Sequence, residues 1–226
     1  MGPSISEVLP YAIGVAISPI PLVAVIVMLF TPRAKQNGPA FLAGWVVGLS
    51  VLAAVVYLVA DALNVASDSS ASDSTSTVKI VLGAALLFGG LRRWRNRTPA
   101  GGEAETPKWM ASVDTFSPAK AAGLGVLLGA VNPKNLVLTF GAAAGLAQLH
   151  GESTSEAVVG LVVFVAIASS TTAIAVGYRL FGGEKARVEL EDTKVWLSAH
   201  NEAVMAVLFL VFGVVILSQG LGLLTA

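Results

Sequence analysis

Two short proline-containing breaks constrain this chain more than any other feature: Ser18-Pro19-Ile20-Pro21, and Asn132-Pro133-Lys134-Asn135. Each lies near the middle of an apolar stretch long enough to cross a bilayer. Proline inside a helix removes a hydrogen-bond donor and clashes with the preceding turn, at about 3 kcal/mol or more. In hydrocarbon the freed backbone groups need other partners, so such a break persists only against protein or a polar cavity. The two breaks are therefore expected to face each other and to form a substrate site.

The composition supports a bilayer setting. Of 226 residues, 55% are hydrophobic and only 12% charged, about half the charged fraction of a soluble domain. The formal net charge is zero, which offers no basis for binding nucleic acid. There is no cysteine, so disulfides, thiolate metal sites and dithiol electron transfer are excluded. No Lys or Arg precedes the first apolar run, so a cleaved signal peptide is not expected and that run should stay in the protein.

At about 20 apolar residues per crossing, an all-α polytopic membrane protein with six spans is expected, near residues 8–31, 37–60, 76–94, 119–149, 156–179 and 202–224. The first and fourth carry the breaks. The third is the weakest, because Lys79 and Arg92 bracket a short uncharged run and would have to snorkel outward. Asp61 to Thr77 reads as a flexible solvent loop. A polar connection at 98–118 separates residues 1–97 from 119–226; within it Trp109, Val113 and Phe116 have the spacing of a short interfacial helix. Arg179 to Glu202 reads as a mixed-charge connection, with Val195, Trp196 and Leu197 near the interface.

If six spans alternate, 12 of the 14 basic residues fall on one side, which by the positive-inside rule is cytoplasmic and puts both termini outside. Trp45, Trp94, Trp109 and Trp196 lie on or near that side, as interface anchors do. Displacing the chain by 114 residues lays Ser18-Pro19-Ile20-Pro21-Leu22-Val23 on Asn132-Pro133-Lys134-Asn135-Leu136-Val137. A three-helix unit repeated in this way has its second copy inverted. Inverted repeats with discontinuous helices in matching positions point to a transporter site at the midplane.

Each break starts a new half-helix whose first amides carry partial positive charge. Pro19, Pro21 and Pro133 suit the first turn, and Ser18 and Asn132 suit the N-cap. Lys134 adds a full positive charge and Asn135 a further polar contact. Such convergence suits a carboxylate, sulfate or phosphate, and loss of Lys134 is expected to stop function while folding persists. Ser169, Ser170, Thr171 and Thr172 are candidates for lining the pathway, although such hydroxyls often bond their own helix. Gly44 with Gly48, Gly125 with Gly129, and Gly141 with Gly145 are spaced for close helix packing, within one subunit or between two, which leaves a homo-oligomer open. No Asp or Glu is expected inside a span, and His150 and His200 are placed at helix ends. Neither a metal site, a cofactor nor an enzymatic constellation is expected.

Six spans in two inverted triads, with a proline-centred break in the first and an Asn-Pro break in the fourth, resemble the lysine-exporter (LysE) superfamily. Within it, Ala16-Ile17-Ser18-Pro19-Ile20-Pro21-Leu22, Leu29-Phe30-Thr31-Pro32-Arg33-Ala34 and Ala40-Phe41-Leu42-Ala43-Gly44-Trp45 are similar to the peptidoglycolipid-addressing (GAP) family. The resemblance covers essentially the whole chain. It implies a cytoplasmic-membrane secondary transporter that exports an anionic or amphipathic envelope glycolipid, with membrane lipids as partners. The alternatives are export of amino acids or other small polar solutes, and a non-transporting scaffold for envelope-lipid assembly. Amino-acid exporters of that superfamily have Pro-Gly-Pro at the first break, from which Ser18-Pro19-Ile20-Pro21 departs.

Overall fold

The structure, a computed structural model, describes residues 2–66, 70–97, 113, 115–149 and 153–223, with the backbone alone at 63–66 and 70–75. Among the described residues the chain forms eight α-helices and no strand: α1 (Gly2–Ala16), α2 (Pro19–Leu29), α3 (Ala34–Ala66), α4 (Ser70–Arg95), α5 (Pro118–Ala130), α6 (Pro133–Ala147), α7 (Thr154–Phe181) and α8 (Gly183–Gly220). The chain turns by 54° between α1 and α2 and by 61° between α5 and α6. Both turns fall at the proline breaks.

By length and composition α3, α7 and α8 can each cross a membrane, and each bent pair can supply one further crossing. That makes three to five spans among the described residues, fewer than the six expected. The shortfall is α4. Its uncharged run between Lys79 and Arg92 holds only 12 residues, about 18 Å of helix at 1.5 Å per residue, against a hydrocarbon core of about 30 Å.

Two expected connections are instead helical. α3 runs on to Ala66 and α4 begins at Ser70, so most of the loop expected from Asp61 to Thr77 is helix. That stretch contains neither glycine nor proline, and Ser, Asp and Thr each cost a helix only a few tenths of a kcal/mol. Likewise the mixed-charge stretch up to Glu202 belongs to α8, whose 38 residues start directly after Gly182. Its charges pair along the helix surface, Glu184 with Arg187, Lys185 with Glu189 and Glu191 with Lys194, the spacing that supports an exposed helix. His200 is consequently inside α8, stacked on Trp196 at 4.6 Å. His150, Trp109 and most of the 98–118 connection lie outside the described residues.

Glycines set the helix directions by letting backbones touch. Gly44 faces the Ala122 carbonyl and Gly48 faces that of Val126, so α3 and α5 run parallel. From the other side Gly125 abuts the backbone of Phe41 and Trp45, and Gly129 that of Trp45. α1 and α6 are antiparallel: Gly14 meets Leu138, Tyr11 meets Gly141, and Glu7 meets Gly145. α4 and α8 are antiparallel too, with Gly83 against Leu217, Leu87 against Gly213 and Gly90 against Leu210. α1 and α7 run parallel, from Ser4 beside Gly160 to Ala16 bonded to Thr171. Thus Gly44, Gly48, Gly125, Gly129, Gly141 and Gly145 all pack helices within this one chain. Trp45 belongs to that packing at 1% exposure and is no interface anchor, whereas Trp94 and Trp196 are exposed. The core they enclose centres on Tyr11, Ile26, Met28, Phe41, Trp45 and Phe164.

Candidate functional site

At the first break Ser18 is extended (φ −121°, ψ 94°) and precedes Pro19 and Pro21 in the opening turn of α2. Ser18 occupies the N-cap position without capping: its hydroxyl donates backward to the Val15 carbonyl at 2.5 Å. Of the first three residues of α2 only Ile20 carries an N–H, because prolines flank it. At the second break Asn132 is extended (φ −60°, ψ 122°), and its side chain accepts from the Lys134 amide at 3.1 Å. Pro133 then opens α6 and Leu136 N–H donates to the Asn132 carbonyl at 2.9 Å. The two half-helix starts therefore offer few free amides.

The breaks touch through side chains that serve carbonyls. Lys134 is 2% exposed, and its ammonium donates to the carbonyls of Gly14 at 2.6 Å and Ile17 at 2.8 Å. Thr171 Oγ1 donates to the Ala16 carbonyl at 2.7 Å. Asn135 Nδ2 donates to the Leu128 carbonyl at 3.0 Å, and Ser18 Oγ approaches Asn135 Oδ1 at 3.5 Å. A helix C-terminus leaves its last carbonyls without partners and carries partial negative charge. Lys134 and Thr171 thus close the end of α1, and Asn135 closes the end of α5. Lys134, expected to attract an anion, gives two of its three N–H donors to backbone carbonyls.

The remaining hydroxyls of α7 are divided. Ser170 bonds the Ile167 carbonyl of its own helix at 2.7 Å. Ser169 and Thr172 are buried, with 5% and 2% exposure.

A cavity of about 330 Å³ opens beside the second break. Val131, Asn132, Pro133 and Lys134 form one wall with Ile20 of the first break, Leu127 and Leu128 of α5 another, and Met205 and Phe209 of α8 a third. None of Ser169, Ser170, Thr171 and Thr172 lines it. Its surface is mostly hydrocarbon, and two of its residues, Leu127 and Val131, are more than half exposed at 52% and 57%. Arg93 of α4 lies at its edge, with Nη1 2.8 and 2.9 Å from the two carboxylate oxygens of Glu202 on α8. The same guanidinium sits over the Phe209 ring, 5.4 Å from its centre.

A second polar cluster was not anticipated. Glu7, taken to precede the first span, lies inside α1 at 7% exposure, and its Oε1 has no hydrogen-bond partner. Lys79 of α4, 9% exposed, is within electrostatic reach of it. Tyr11, one turn further along α1, donates to Gln219 Oε1 of α8 at 2.5 Å. Glu7 thus belongs to the first helix of the bent pair α1–α2 that can supply one crossing. The signal was present in the spacing: Ser4, Glu7, Tyr11 and Val15 share one helix face, and all four are buried. Among the described residues no group of three His, Cys, Asp or Glu is placed to hold a metal.

These features define a class: a helical membrane protein with two broken helices linked at their breaks and an apolar cavity beside one of them. Over residues 8–222 the sequence matches the family described as SfLAP: Sap, sulfolipid-1-addressing protein, and the chain belongs to that family. No curated protein and no solved structure matches it.

Proposed function

We propose that this protein is a secondary transporter that exports an anionic, amphipathic envelope lipid through the cytoplasmic membrane. The observation that carries this reading is the cavity: it is walled by hydrocarbon, bordered by exposed Leu127 and Val131, and carries a guanidinium at its edge. An acyl chain gains roughly 25 cal/mol for each Å² of apolar surface it buries, whereas a small polar solute would find almost no partners on these walls. The family's description as sulfolipid-1-addressing supports the same class of substrate.

In this reading α4 completes a sixth crossing, with Lys79 turned inward within electrostatic reach of Glu7 instead of extended to the interface. The packing directions suit two inverted halves. The second long helix of each half, α3 or α7, runs parallel to the first piece of the other half's broken helix, α5 or α1. Both termini then lie outside, with the basic residues in the cytoplasm. The breaks act as hinges for alternating access, and no catalytic step is assigned to any residue.

The test is an untargeted lipid and metabolite comparison of cells with and without the gene, in envelope and medium fractions. Accumulation of one anionic lipid inside with its loss outside is the expected result. Unchanged lipids with an altered amino-acid pool would overturn it. Replacing the 98–118 connection by a neutral linker separates transport from scaffolding, since a transporter keeps most of its function and a scaffold loses it.

A further inference from the structure

We propose that Arg93 and Glu202 form an exchangeable latch at the cavity, in which the sulfate or phosphate ester of a lipid headgroup replaces the Glu202 carboxylate on Arg93. This rests on the lipid-export reading above and names the headgroup chemistry that its site selects.

The placement of the pair is the first argument. Arg93 borders the cavity, and its ring partner Phe209 is also a cavity wall. One lipid molecule can therefore reach the guanidinium with its headgroup while its chain lies against Leu128, Met205 and Phe209. Position along the chain explains how the two ends of the ligand meet one site. α4 and α8 are locked backbone to backbone at Gly83, Gly90 and Gly213, so Arg93 is carried on a fixed platform and only its side chain needs to turn.

The second argument is the state of the ion pair. A single nitrogen, Nη1, meets both carboxylate oxygens, and a guanidinium has five N–H donors in a planar fork. The fork is thus underused. The two side chains are 35% and 37% exposed, and pairs exposed to that degree contribute little to stability. Such a contact opens easily. A tetrahedral oxyanion can accept two parallel N–H bonds from the fork, which is the stronger arrangement. Glu202 is not left stranded on exchange, because Asn201 Nδ2 lies 3.3 Å from its Oε1 and solvent reaches it. Lys134 is less free for this task, since two of the three N–H donors of its ammonium go to the Gly14 and Ile17 carbonyls.

With Glu202 on Arg93 the headgroup position is filled by the protein's own carboxylate, which a neutral lipid has no means to displace. Selection for an anion therefore arises from competition as well as attraction.

The experiment uses the purified full-length protein in nanodiscs of uncharged lipid. The probes are a sulfated galactolipid and its unsulfated counterpart with identical acyl chains, quantified by native mass spectrometry. Wild type should prefer the sulfated form by on the order of tenfold, the range of charge-assisted hydrogen bonds. Arg93→Gln should bring that ratio close to one by weakening binding of the sulfated lipid. Glu202→Gln should raise affinity for the sulfated lipid several-fold, which tests the latch without removing the cation. Inorganic sulfate at the same concentration should fail to displace the lipid. The proposal is overturned if the preference survives Arg93→Gln, if Glu202→Gln weakens binding of the sulfated lipid, or if free sulfate displaces it equally well. A preserved preference in a protein whose deletion leaves envelope lipids unchanged supports the latch and overturns the export reading.

Discussion

The ammonium of Lys134 lies 2.6 Å from the carbonyl oxygen of Gly14, which places the second break of the chain on the open end of the helix that leads into the first. With the further bond to Ile17 it forms the tightest polar link between the two breaks. Charge, burial and capping act together here. A buried ammonium is tolerated because it replaces water with two carbonyls that themselves lacked helical partners.

Lys134→Ala is accordingly expected to destabilise the fold itself. The buried Gly14 carbonyl loses its donor, at about 1–3 kcal/mol, and the partly buried Ile17 carbonyl loses one too, at a smaller cost. The melting midpoint in detergent should fall clearly below wild type, and amide exchange at Ile17 and Ser18 should accelerate. A variant that melts like wild type would mean the carbonyls find other donors and that the link is dispensable.

The α7 hydroxyls should separate by what they bond. Thr171→Val removes a donor to the Ala16 carbonyl at an end of α1, and should cost about 0.5–1.5 kcal/mol. Part of that is offset, since the Ser18 amide also reaches this carbonyl at 3.0 Å. Ser170→Ala loses only a bond within its own helix and should stay within about 0.5 kcal/mol of wild type. Equilibrium unfolding in mixed micelles measures both, and equal effects would count against the capping role of Thr171.

Close backbone approach makes a sharp contrast among the glycines. A side chain at Gly44 or Gly125 would collide with the backbone of the partner helix. Gly44→Val should therefore cost at least the 1–3 kcal/mol typical of overpacking and lower the yield of folded protein. Gly123, on the same helix as Gly125, has open space around it, and Gly123→Ala should be neutral or stabilising by up to about 1 kcal/mol. Size-exclusion profiles and melting midpoints decide between them.

Covering the cavity should affect lipid handling alone. Val131 is 57% exposed and borders the cavity, so Val131→Trp has room to lie across the opening. Stability should change by no more than about 0.5 kcal/mol, whereas transfer of envelope lipid, followed by the comparison of cell fractions, should drop several-fold. Unaltered transfer would move the lipid path elsewhere on the protein.

The sequence determined where the chain must break and what stands there. Proline disfavours the helix interior, and the two interruptions fall at Pro19, Pro21 and Pro133, although Pro10 and Pro39 are carried inside α1 and α3; apolar runs with few charges set an all-helical membrane protein. Glycine spacing likewise marked the faces that would touch. Helix extent was less legible, because α3, α4 and α8 continue through polar stretches that contain no residue able to stop them. What Lys134 does was decided by tertiary structure alone. A positive charge beside a helix start reads as an anion site as long as the carbonyl ends of other helices are not in view. Once α6 packs antiparallel on α1, the carbonyls of Gly14 and Ile17 come within hydrogen-bond distance of the ammonium, and it donates to both. Glu7 and Arg93 follow the same logic. Their residue types were visible, but only the packing of α1, α4 and α8 buried the one and set the other at the mouth of an apolar cavity.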